Sequence, residues 1–157
     1  MTFVLKFLLL LSLVLWLGGI LFFAIAVAPS VFAVLIPVEG GRILAGNIVN
    51  RSLGILHWMG LTCGLAFLIS STALARKFGT VENFLVLAMV LLTAISQFVV
   101  SARMAAIRAE AGNFERLVLS DPLHLQFMRL HQVSTALEGI IFLLGLGVVV
   151  AISRRLS

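Results

Sequence analysis

An all-α fold, an integral membrane antiparallel four-helix bundle, is what this sequence predicts, and three observations lead there. The 157 residues are 62% hydrophobic and only 11% charged, whereas a soluble domain is about a quarter charged. Mean hydropathy is +1.22. The apolar residues fall into four runs separated by short polar breaks, and at about 20 residues per helical span that leaves room for four crossings and little else. A single transmembrane domain over residues 1–157 is therefore expected, with helices at about 3–37, 42–76, 81–111 and 122–154. Connections this short make sequential helices antiparallel neighbours.

The first run is uncharged over residues 7–38. Lys6 ahead of it imitates a secretion signal, but the run is too long for one and is read as a retained helix. Pro29 removes the backbone donor to residue 25 and should distort the helix; Pro37 with Gly40 and Gly41 should end it. The second helix opens on polar residues (Arg42, Asn47, Asn50, Arg51) and then carries Gly46, Gly54, Gly60 and Gly64 at spacings that allow close helix approach in lipid. Arg76 and Lys77 mark the membrane interface, Gly79 suits a helix C-terminus and Thr80 a cap for the next helix. The third helix is longer than the membrane is thick, so its charged end (Arg103, Arg108, Glu110) should project into water. Gly112 and Asn113 should stop it, a short polar segment follows over residues 114–119, and Asp121 with Pro122 in the first turn starts the fourth helix.

Charge counts leave the orientation open. Lys6, Arg76, Lys77, Arg154 and Arg155 lie on one side, and Arg42, Arg51, Arg103, Arg108, Arg116 and Arg129 on the other. A bacterial inner membrane with both termini on the cytoplasmic side is the expected setting. Basic residues that occur singly or in pairs at helix ends are a topology pattern, so no nucleic acid partner is expected; lipid surrounds the chain, with a membrane protein or a second copy as a possible companion. Lone Cys63 excludes an intrachain disulfide and a cysteine-based zinc cluster.

The fourth helix carries the main functional signal. His124, His131, Glu138 and Gly145 recur every seven residues, and seven steps return to within about 20° of the same face. An ionisable residue deep in a span is costly, about 2.5–3.5 kcal/mol for a charged group at mid-helix, and marks a functional site by default. Counting about 1.5 Å per residue places Gln97, Ser101, His57 and Glu138 in one half of the membrane, with Ser134 one turn from Glu138. Glu138 is expected as a neutral carboxyl directed at Gly18, Gly19 and Gln97, bonded to Gln97 or Ser134. Trp16, mid-membrane by count, is expected to pack inside the bundle.

Helix 1, WLGGILFFAIAVAPSVFAVL, with AGNIVNRSLGILHWMGL and RLHQVSTALEGI, resembles the transmembrane protein 205-like family of small four-span integral membrane proteins. The resemblance spans nearly the whole chain. It implies the fold and topology and supplies no activity, and it implies a hydrogen-bonding role at the Glu138 position.

Three functions compete. In the first, His57 and His131 ligate a haem or another tetrapyrrole, with Arg51, Arg103 or Arg129 pairing with its carboxylates. In the second, Glu138, Gln97 and His57 form the polar track of a proton-coupled transporter element. In the third, which asks least of the sequence, the chain is a non-catalytic structural or interaction subunit whose His/Glu/Arg cluster holds helices or a partner. No nucleophile–base pair, carboxylate–metal cluster or phosphate loop is visible, so catalysis is not expected.

Overall fold

A computed structural model describes residues 2–74, 80–111 and 121–156. These form four helices: α1 (Thr2–Leu35), α2 (Gly41–Ala73), α3 (Val81–Ala111) and α4 (Pro122–Leu156). Each is long and apolar enough to cross a membrane, and no strand occurs among the described residues. Packing follows chain order, α1 on α2, α2 on α3 and α3 on α4, with a thinner α1–α4 contact closing the ring. The helices therefore form the four-helix bundle that the hydropathy pattern predicts, and the outer surface is a belt of exposed Leu, Ile, Val and Phe suited to lipid.

Helix breaks and caps sit where local chemistry demands them. Pro29 cannot donate to residue 25, and the chain answers with a π-helical turn, Phe23–Val27, in which the Ala28 amide donates to the Phe23 carbonyl. At the α1–α2 turn Gly40 adopts φ +68°, a conformation that side-chain-bearing residues rarely take. A side chain at Gly41 would run into the Leu35 carbonyl. Asp121 caps α4 as expected, its carboxylate accepting from the Leu123 amide at 2.8 Å. The expected features at residues 76–79, the Thr80 cap and the segment over residues 112–120 lie outside the described side chains.

The core divides into two apolar clusters. One joins Leu9, Leu13, Trp16, Phe67, Met89 and Val148, among others, near the chain termini. The other joins Val100, Met104 and Ile107 of α3 to Phe127 of α4. Between them along α3 lie Thr93, Ser96 and Gln97, and along α4 Ser134 and Glu138.

Trp16 is 2% exposed and lies against α2 at Gly60 and Gly64. A Cβ at Gly60 would stand 2.5 Å from the indole nitrogen. The small-residue spacing on α2 is thus a seat for one aromatic ring rather than a bare backbone contact.

Candidate functional site

The polar layer is built around His57, near the middle of α2. The imidazole is 1% exposed, so both ring nitrogens need partners inside the protein. Gln97 of α3 presents its side-chain oxygen to Nδ1 at 2.8 Å, and Nδ1–H donates. Nε2 faces a carboxylate oxygen of Glu138 on α4 at 2.6 Å. Three helices are joined through one imidazole.

Proton bookkeeping at this contact follows from the donor and acceptor inventory. With Nδ1–H given to Gln97, one proton lies between Nε2 and Glu138. Held by Glu138, it makes the carboxyl donate to a neutral ring; held by His57, it makes Nε2–H donate to a carboxylate. Both forms carry zero net charge, so the proton can change sides without placing an uncompensated charge in the bundle.

Gln97 reaches the ring from an irregular stretch of α3. Residues Ser96–Val100 form a second π-helical turn, with the Ser101 amide donating to the Ser96 carbonyl. Such a turn adds one residue to the helix and shifts the face presented beyond it, a distortion frequent at functional sites. No proline or glycine marks this one, and the sequence carries no signal for it.

Placement of the other expected residues differs in detail from the sequence reading. Glu138 is turned into the bundle and 16% exposed, but its partner is His57; the imidazole stands where a direct bond to Gln97 was expected. Gly18 is open to the surroundings and Gly19 faces Met59 and Leu56 of α2, so neither glycine forms a wall opposite Glu138. Ser134 is buried one turn from Glu138 and Ser101 is half-buried just past the π-turn. His131 is exposed, seven residues or about 10 Å outward along α4 from Glu138. His57 and His131 are therefore not brought together, and both nitrogens of His57 are engaged, so these two do not fit a shared tetrapyrrole iron. Arg51, Arg103 and Arg129 are exposed. Among the described residues no group of three His, Cys, Asp or Glu side chains could hold a metal ion.

Several buried hydroxyls are satisfied locally. Ser12 donates to the Leu8 carbonyl and Thr93 to the Met89 carbonyl, each within its own helix. Toward the chain termini the cluster is followed by an apolar layer of Leu9, Phe67, Val86 and Met89, each 0–1% exposed.

Four lipid-compatible helices around a buried polar layer define a small integral membrane protein. The chain belongs to the family described as Domain of unknown function (DUF4149), which matches residues 11–113. The match takes in His57 and Gln97 and ends before Glu138. No curated protein and no solved structure matches the chain.

Proposed function

We propose that this is a non-catalytic membrane subunit in which the His57–Gln97–Glu138 cluster fixes the relative rotation of α2, α3 and α4. The observation that carries the reading is the pair of bonds on one imidazole, 2.8 Å to Gln97 and 2.6 Å to Glu138. A leucine-lined interface can slip by a helical turn at little cost in lipid, where hydrocarbon on either side is equivalent; a buried donor without its acceptor cannot. The cluster thus supplies register where apolar packing alone does not. The narrower likeness to the transmembrane protein 205-like family belongs to the same proposal and adds topology without activity.

A second reading, proton-coupled transport, is favoured by the shared proton between Nε2 and Glu138. Against it stands the layer of Leu9, Phe67, Val86 and Met89, which separates the cluster from buried Ser70, Ser71 and Glu82 nearer the chain termini. Reconstitution into vesicles containing a pH-sensitive dye separates the two. The structural reading expects no proton flux above empty vesicles, and for Glu138→Leu a lowered stability. Proton flux abolished by Glu138→Gln in a normally folded protein would overturn it in favour of transport.

A further inference from the structure

A groove of about 510 Å³ lies between α3 and α4 on the side remote from the termini, lined by Arg103, Ile107, Glu110, Gln126, Arg129 and Leu130 among others. We propose that it holds the head group of an anionic phospholipid, with Arg103 and Arg129 on the phosphate. This inference does not depend on the role of the His57 cluster.

Four observations converge on that occupant. The first is charge: two guanidiniums and one carboxylate line the groove, and among the described residues neither arginine makes an ion pair. Arg108, the other cation nearby, is already placed over the Phe127 ring at 4.8 Å. Guanidinium groups suit phosphate oxygens geometrically as well as electrostatically.

The second is depth. Arg103 is six residues outward from Gln97 and Arg129 nine outward from Glu138, about 9 and 13 Å along their helices. Counted along the helices from the terminal side, Arg103 lies about 30 Å in and Arg129 farther out, at and beyond the far boundary of a hydrocarbon core about 30 Å thick. Phosphate groups of lipids occupy that level.

The third is the graded chemistry of the groove. Glu110 and Gln126 lie farthest out, where they can accept hydrogen bonds from head-group hydroxyls. Ile107 and Leu130 supply an apolar floor. One turn inward from Arg129 on the same face of α4, Val133 is 47% exposed and continues an apolar surface toward the membrane centre, where an acyl chain would lie.

The fourth is the α3–α4 arrangement itself. Ile107 of the groove floor belongs to one apolar cluster with Val100, Met104 and Phe127, which ties α3 to α4 at the level of the arginines.

The test uses the full-length protein in neutral detergent, titrated separately with phosphatidylglycerol, phosphatidylcholine and inorganic phosphate. Bound lipid is counted by native mass spectrometry and protection by thermal unfolding. Phosphatidylglycerol should bind and raise the unfolding temperature, while phosphatidylcholine and inorganic phosphate should do neither. Arg103→Gln with Arg129→Gln should weaken phosphatidylglycerol binding about thirtyfold, from roughly a fivefold contribution per arginine near an anionic surface. Each single substitution should give a partial loss, and Arg42→Gln, an exposed arginine on α2, should give none. Equal binding of phosphatidylcholine, equal protection by inorganic phosphate, or full binding by the double variant would each overturn the proposal. Should the double variant fail to fold, the lipid selectivity of the unaltered protein and the two single variants still decide.

Discussion

His57 and Glu138 meet across a diagonal of the bundle. Their helices, α2 and α4, are not adjacent in the packing order, yet Nε2 and the carboxylate oxygen are 2.6 Å apart. Two polar side chains reach over the centre where apolar ones would leave the helices independent, and Gln97 holds the ring from a third side.

Glu138 substitutions should separate hydrogen bonding from charge. Glu138→Gln keeps a donor for Nε2 and should lose little stability. Glu138→Leu leaves Nε2 buried without a partner and should cost about 1–2 kcal/mol. Reversible unfolding in mixed detergent measures both, and equal stability of the leucine variant would show that the bond contributes nothing.

A double-mutant cycle on His57 and Glu138 should give a coupling of about 0.6–1.7 kcal/mol, between the average and the largest value found for hydrogen bonds between transmembrane helices. The cycle on Gln97 and Glu138 should give less, since the imidazole stands between them. The reverse order would place the direct bond between amide and carboxylate.

Gly60 and Gly18 should respond oppositely to alanine. At Gly60 the added methyl meets the Trp16 indole, and overpacking should cost about 1–3 kcal/mol. At Gly18 nothing lies within 4 Å, so Gly18→Ala should be neutral or stabilise by up to about 1 kcal/mol through helix propensity. Thermal unfolding of both variants checks the contrast.

Reporter fusions at either end should report the same compartment, because four spans return the chain to its starting side. Opposite signals would require an odd number of crossings.

Much of this arrangement was legible in the residues. Hydropathy marked four spans, Pro29 marked a distorted helix, Asp121 marked a cap, and the depth count put His57, Gln97 and Glu138 in one half of the membrane. What escaped was rotation. The seven-residue series His124–His131–Glu138–Gly145 shares one stripe, but the buried series on α4 is Phe127–Ser134–Ile141–Val148, three positions on and about 60° around. Glu138 and Gly145 border that face and point inward; His131 does not. Polar residues draw the eye to themselves, whereas the inward direction is set by the apolar ridge they accompany. The π-turn at Ser96–Val100 was invisible for a different reason. It lies on α3 between the two apolar clusters, at the polar layer, and no proline or glycine in the local sequence marks it.

The division of the apolar core has its own dynamic consequence. Because the cluster of Val100, Met104, Ile107 and Phe127 shares no member with the larger one, the outer ends of α3 and α4 can open as a separate cooperative unit while Trp16 and its neighbours stay packed. Amide hydrogen exchange should then show two protection classes, with faster exchange at residues 101–111 and 122–130 than at 84–92 and 141–150. The boundary between them should fall at the imidazole, which makes His57 the hinge line of the molecule as well as its tie.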